Sequence, residues 1–182
     1  DLGLPEKSLI ECEIAYKGSS GRKPEFALSL GVSREEGTAS QAFGLEVWEN
    51  ELVARRETKQ EADVEKLADV TYGAGRLHLL IYLDQAGERM LIYTPEGKRL
   101  ADLKAKAAEA RSYPGIRLAN KKGEVRIERL RISRWVENPV AEVQADKPRV
   151  HQKNGDVLYG TPTGYDPVAR TFQFKEDKKE IS

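Results

Sequence analysis

The stretch LHLLIYLDQAGERMLIY, residues 77–93, decides the fold class of this 182-residue chain. Every second residue from Leu77 to Leu83 is leucine or isoleucine, which is the period of two that a half-buried β-strand requires. Residues 84–88 carry turn chemistry, and the apolar alternation resumes at Met90. We therefore predict a β-hairpin at the centre of an antiparallel, all-β domain.

The register of this hairpin makes its second face apolar as well. A four-residue loop after Asp84 places Tyr82 opposite Leu91 and Leu80 opposite Tyr93. A sandwich strand normally buries one face and exposes the other to water, so these four side chains require cover. We expect the C-terminal tail, a helix or a loop to cover them, with a subunit contact and a ligand groove as the alternatives.

In the ligand alternative, rings on this surface would stack against a sugar. Aromatic side chains suit this contact because they present a large, flat apolar area. The candidate ligand-binding residues are Trp48, His78, Tyr82 and Tyr93.

Alternating apolar residues predict further strands N-terminal to the hairpin. They cover Ser8–Tyr16, Phe26–Val32 and Ala42–Arg55, the last with a turn at Asn50-Glu51. The segment 59–70 fits a strand or one face of a short helix, and we favour the strand.

On the C-terminal side the strand pattern continues with two irregularities. Asp102 is positioned to cap a short helix through the alanine- and lysine-rich run that ends near Arg111. In the last strand before Trp135 the strict alternation is broken by one residue. We therefore predict a β-bulge at Glu128-Arg129, because a bulge absorbs one extra residue.

Four segments carry a family resemblance. They are LLIYLD at 79–84 with Gly87 and Tyr93, Gly97-Lys98, GIRL at 115–118 and LRISRW at 130–135. This series resembles the concanavalin A-like lectin and glucanase family, in its laminin-G-like form. The resemblance implies a jelly-roll β-sandwich over residues 1–137 that serves sugar binding, protein binding, scaffolding or, less often, glycoside hydrolysis.

The C-terminal residues predict a second, smaller unit. Residues 138–148 are polar and contain two prolines, which predicts a linker. Alternation around an Asn-Gly turn predicts three short strands in 149–182, similar to a fragment of a small SH3-like or Sm-like barrel. A unit of roughly 35 residues is too small to be stable alone, so we expect it to pack on the sandwich or on a neighbouring chain. Oligomerisation by exchange of this tail is the corresponding expectation.

Composition limits the partners. Thirty basic and thirty acidic residues give no net charge, so we expect no nucleic-acid partner. No apolar run reaches the length of a membrane span, so we expect none. The chain begins at Asp1, which fits a mature protein whose signal peptide was removed, and we expect a secreted, periplasmic or cell-surface location.

Three carboxylates form the candidate catalytic set. Glu61, Asp63 and Glu65 share one face of a predicted strand, the arrangement by which a retaining glycosidase obtains its nucleophile and acid. They resemble the laminarinase-type motif. The surrounding run is charged on every side, however, so we expect a solvated surface and no enzyme activity.

Metal and thiol chemistry have little support. Two histidines, His78 and His151, are too few for a zinc site, and we expect no metal or cofactor. Calcium bound by Asp84 or Asp102 is chemically allowed but has no ligand spacing to support it. The single Cys12 lies on an alternating strand, so we predict a buried, unreactive thiol.

These patterns favour a non-catalytic binding or scaffolding module of an exported bacterial protein, whose ligand is a glycan or a protein. The alternative is a lectin-like, carbohydrate-binding domain that uses aromatic residues on the concave sheet. A laminarinase-like glycoside hydrolase is the third hypothesis.

Overall fold

The computed structural model describes residues 3–19, 21–33, 42–57, 62–104, 113–135, 147–151 and 157–176. Within these ranges the chain forms antiparallel strands and no helix. It separates into two compact units, Asp1–Pro95 with Arg99–Glu137, and Glu96–Lys98 with Asn138–Ser182. How residues 149–182 pack stays a prediction.

The described residues of the first unit form ten strands. They are β1 (Lys7–Lys17), β2 (Glu25–Val32), β3 (Ala42–Trp48), β4 (Glu51–Glu57), β5 (Ala62–Asp69), β6 (Ala74–Asp84), β7 (Arg89–Tyr93), β8 (Arg99–Lys104), β9 (Gly115–Lys122) and β10 (Glu124–Arg134). The strand order β10-β1-β6-β7-β8 makes the first sheet, and β5-β4-β3-β2-β9 makes the second sheet.

The apolar core lies between these two sheets. Every second residue of β1 from Ser8 to Tyr16 is buried, and the intervening residues are only partly covered, as period-two alternation requires. Ile81 of the first sheet and Leu45 of the second are fully buried in the same cluster. The predicted all-β, antiparallel sandwich is confirmed. The segment 59–70, left between strand and helix, forms β5 over its described part.

The central hairpin has the predicted register. Tyr82 pairs with Leu91 and Leu80 with Tyr93, while the intervening residues face the core. The predicted bulge is also present, because Glu13 pairs with Arg129 but the next residue pairs with Ile127. Glu128 is thus the extra residue of β10, and both patterns are confirmed.

The helix predicted after Asp102 is wrong at its start. Asp102 lies within β8, opposite Leu91, and both of its carboxylate oxygens accept hydrogen bonds from Arg89 at 2.9 Å. The cross-strand partner therefore takes the oxygens that a cap would have used. The rest of the predicted helix, residues 105–112, lies outside the described residues.

The second unit contains β11 (Arg149–His151), β12 (Val157–Asp166) and β13 (Thr171–Glu176), in the order β11-β12-β13. The three predicted strands are confirmed. β12 contains a bulge between Pro162 and Gly164 and continues to Asp166. The Asp166 carboxylate then accepts hydrogen bonds from the Val168 and Ala169 amides at 2.8 and 3.0 Å and closes the loop.

Candidate functional site

The outer face of the first sheet carries an aromatic cluster at one end. Tyr93 is only 3% exposed, although it points away from the core between the sheets. Its ring meets the edge of Tyr82 at 5.6 Å, and Trp135 packs on Tyr82 at 5.4 Å. Trp135 is held there because its amide donates to the Lys7 carbonyl at 3.1 Å. The predicted doubly apolar layer is therefore present, with Leu91 also buried on this side.

The opposite end of the same sheet opens into a groove of about 770 Å³. It is bordered by the end of β1 and by the starts of β6 and β10, with Lys17, Arg76 and Arg126 among its lining residues. Gly75 makes part of this shape, since a Cβ at that position would lie 2.3 Å from the Tyr16 ring. The groove is open to solvent and is lined by both charged and apolar groups.

A set of ion pairs fixes the charged side chains of the groove. The Glu128 carboxylate accepts from Arg76 at 2.6 Å and also from Arg126. Arg76 reaches Glu13 with its other terminal nitrogen at 3.5 Å. The two carboxylates are 17–18% exposed, whereas the two arginines are 62–75% exposed. The surface offered to a ligand is therefore rich in guanidinium donors above fixed carboxylates.

Glu11 continues this set of ion pairs towards the aromatic cluster. It accepts from Arg129 at 2.8 Å and lies 3.5 Å from Arg131 and 3.2 Å from Nε2 of His78. The hydrogen bond from Arg129 lowers the pKa of Glu11, and it outweighs the opposing effect of burial. Glu11 is therefore ionised at neutral pH and pairs with the His78 imidazole and the guanidinium groups of Arg129 and Arg131.

The predicted ligand-binding residues do not form one group. His78 and Tyr82 lie on the outer face of β6, and Tyr93 lies beside them on β7. Trp48 lies on the second sheet, at the end of β3, where it is 45% exposed. Its side chain hydrogen-bonds Glu46, so it belongs to a separate surface. Tyr93 is buried and offers no ring face to a ligand.

Two of the candidate catalytic carboxylates, Asp63 and Glu65, lie on β5 at the edge of the second sheet. Glu61 lies outside the described residues. Asp63 faces the Arg56 guanidinium at 3.4 Å, and Glu65 accepts from the Asp102 amide at 3.2 Å. Each carboxylate therefore has a structural partner, and neither lines the groove.

The two aspartates considered for calcium are also engaged. Asp84 lies 2.9 Å from the Lys7 ammonium, and it accepts from the Gly87 amide at 2.8 Å. Asp102 binds Arg89, which lowers the pKa of its carboxyl. Among the residues that the structure describes, no group of three metal-ligating side chains occurs. The expectation of no metal, with calcium as the chemically allowed exception, stays a prediction.

Comparison with known proteins finds similarity among solved structures only. The chain matches no family model and no curated protein. Among the solved structures similar to it is sheep galectin-11 in complex with glycerol, at 11% identity and a TM-score of 0.45. That match covers 72% of this chain and 92% of the galectin chain. A likeness at this level identifies neither a family nor a ligand. In the described part of the chain, no helix is long and apolar enough to cross a membrane.

Sequence reasoning missed the two residues that connect this surface. Trp135 follows the last predicted strand and has no predicted contact, yet it packs on Tyr82. The sequence pattern predicts no role for Glu11, yet its carboxylate pairs with two arginines and a histidine. The outward position of Glu11 was available from strand alternation, but its partners come from β6 and β10 and required the strand order.

Proposed function

We propose that this protein is a non-catalytic, carbohydrate-binding module, and that the glycan lies on the outer face of the first sheet. The observation that carries this proposal is the groove with its Arg76-Glu128-Arg126 arrangement. Sugar hydroxyls both donate and accept hydrogen bonds, so they require donors and acceptors at fixed, close positions. Export from the cell remains part of the same proposal.

The fixed side chains favour binding because they are ordered before a ligand arrives. Each arginine that borders the groove is already paired with a carboxylate: Arg76 with Glu13 of β1 and Glu128 of β10, and Arg126 with Glu128 of its own strand. Ordering a long side chain on binding costs roughly 0.5–1.5 kcal/mol, and the ion pairs have met part of this cost in advance. The partly buried Tyr82 and Trp135 extend the same face with apolar ring surface.

A glycan array probed with the full chain tests the proposal, followed by calorimetry on the best oligosaccharide. We expect Arg76→Ala and Glu128→Gln each to weaken binding about tenfold, because each removes one charged hydrogen-bonding partner. Arg117→Ala is the matched control, since Arg117 is an exposed arginine on the second sheet. An array with no bound glycan, or equal losses in all three variants, contradicts the proposal.

A protein-binding module is the second candidate. It is favoured by the exposed arginines of β10, since Arg129 and Arg131 are 50% and 74% exposed. Such a flat, donor-rich strip also suits an acidic protein surface. The array separates the two candidates, because only the carbohydrate-binding module retains a purified glycan. A hydrolase is disfavoured by the structural partners of Asp63 and Glu65.

A further inference from the structure

β13 is an edge strand of the described sheet and carries two phenylalanines, Phe172 and Phe174. The sheet order is β11-β12-β13, so β13 has a described partner on one side only. Phe172 is 63% exposed. Its partner across the hairpin, Tyr165, is 57% exposed, and the two ring centroids lie 5.7 Å apart. We propose that two copies of this chain associate by antiparallel pairing of β13 with β13, around a two-fold axis at Gln173.

The hydrogen-bonding parity of β13 supports this pairing. Pro162 has no amide hydrogen and pairs with Phe174, so that pair is of the non-hydrogen-bonded type. The backbone N–H and C=O of Phe174 therefore point away from β12, towards the free edge. Alternation along the strand gives Phe172 the same direction. An added strand would thus meet the peptide groups of these two residues.

The sequence Phe172-Gln173-Phe174 reads the same in both directions, which selects the register. With the axis at Gln173, Phe172 of each copy lies opposite Phe174 of the other copy, so the axis generates two equivalent Phe172–Phe174 pairs. These are the residues whose peptide groups face outward, so both pairs are hydrogen-bonded and contribute four hydrogen bonds. Thr171 then lies opposite Lys175, so no like charges oppose each other. Side chains and backbone agree on one register.

The apolar face of the hairpin supplies the reason to associate. Phe172 and Phe174 lie on one face of β13, and Tyr165 joins them from β12. Pairing sets four phenylalanines side by side across the axis, and aromatic cross-strand pairs contribute roughly 0.2–1 kcal/mol each. Three strands make a marginal sheet, and a second copy extends it to six. Natural edge strands are commonly protected by proline or bulges, and β13 contains neither.

Cross-linking of the full chain tests the register. In a non-hydrogen-bonded pair the Cα atoms are about 4.5 Å apart, which is within the range of a disulfide. We expect Gln173→Cys to form a covalent dimer under mild oxidation. Thr171→Cys is the matched control, because its two copies would lie four residues apart in register, roughly 13 Å, beyond disulfide reach. The native Cys12 is buried and should not react.

Sedimentation equilibrium tests the interface without cysteines. The wild-type chain is expected at twice its 20.4 kDa mass, and Phe172→Arg at the mass of one chain. Val168→Arg places the same charge on the same hairpin at a 92% exposed loop position, and it should remain dimeric. A wild-type monomer at all concentrations, a dimer that survives Phe172→Arg, or equal cross-linking of both cysteine variants overturns the proposal. Pairing of this edge only with an added peptide would overturn it as well, in favour of a different protein strand.

Discussion

A β-sandwich normally buries apolar side chains between its sheets and exposes polar ones outside. The outer face of β7 and the inward-facing side of β4 show the opposite arrangement. Leu91 and Tyr93 are buried on the outside of the first sheet. Arg56 points inward from β4 and is 4% exposed, and Glu88 beside it is 2% exposed. Apolar side chains are thus covered outside the sandwich, and a charged pair is covered inside it.

The comparison shows that the burial of a side chain depends on the residues packed against it, and not on whether it points into or out of the sandwich. The Arg56 guanidinium lies 3.0 Å from Glu88 and also reaches Asp63, so this charge is matched from two directions. Even so, Nε of Arg56 and one oxygen of Glu88 are buried without a hydrogen-bond partner among the described residues. The outer apolar patch, which consists of Leu91, Tyr82, Tyr93 and Trp135, buries no charge. Covering it therefore does not carry the free-energy cost of an unsatisfied buried charged group.

The largest expected effect is on the buried charge. Glu88→Gln should destabilise the fold by about 3–5 kcal/mol, because it leaves the Arg56 charge buried without its nearest counter-charge. Urea denaturation measures this. Glu51→Gln, which breaks an exposed ion pair with Lys66, should cost less than about 1 kcal/mol. Similar losses in both variants would mean that the inner pair is no more buried than a surface one.

A double-mutant cycle sharpens the same point. Combining Arg56→Met with Glu88→Gln should cost less than the sum of the two single changes by at least about 1 kcal/mol. Strict additivity would contradict a direct pairing of the two side chains.

The next effect concerns the outer apolar patch. Leu91→Ala should cost about 2–5 kcal/mol, because it leaves a cavity beneath the rings of the aromatic cluster. Leu130→Ala on β10 is the control, since Leu130 is 36% exposed and should cost less than about 1 kcal/mol. Thermal or urea denaturation checks both. Equal costs would show that the outer patch is solvated.

A smaller effect is expected on stability at acid pH, through protonation of the Glu11 carboxylate. The pKa of Glu11 is lowered from its ordinary value of 4.5, chiefly by the hydrogen bond from Arg129. The stability that Glu11 contributes is therefore complete above pH 4.5 and is lost as the pH falls through the lowered pKa. The difference in melting temperature between wild type and Glu11→Gln should accordingly shrink between neutral pH and pH 3. A difference that does not change with pH would contradict this.

The smallest expected effect concerns the Cys12 thiol, which should not react in the folded protein. Burial raises the pKa of the Cys12 thiol to about 11, so the thiolate is scarce at pH 8. The native protein should resist alkylation by iodoacetamide, and the urea-unfolded protein should react at the rate of a free thiol. Rapid labelling of the folded chain would show that this part of β1 opens readily.

Local alternation predicted the strands with the clearest period of two. Leu80 and Tyr82 were placed opposite Tyr93 and Leu91 because the length of one short loop fixes a hairpin register. The bulge at Glu128 was also predictable, since an odd spacing cannot be accommodated in a regular strand. The capping role of Asp102 was wrong because an aspartate before an alanine-rich run carries the same local signal whether or not a cross-strand arginine is present.

The site was only half predictable for a related reason. His78, Tyr82 and Tyr93 come from neighbouring strands, so alternation alone places them on one surface. Trp48 was grouped with them by residue type, and the strand order assigns it to the other sheet. Glu11 and Glu128 acquire their roles from arginines on strands distant in sequence.

The sequence by itself determined which residues form strands, which of their faces are apolar, and how the central hairpin is registered, because each of these depends on spacing within one short segment. Only the tertiary structure decided which strands are neighbours. That choice brings Glu11 beside Arg129, Tyr82 beside Trp135 and Arg56 beside Glu88. Contacts between residues far apart in sequence leave no mark in the local pattern, and the charged and aromatic parts of this surface consist of such contacts.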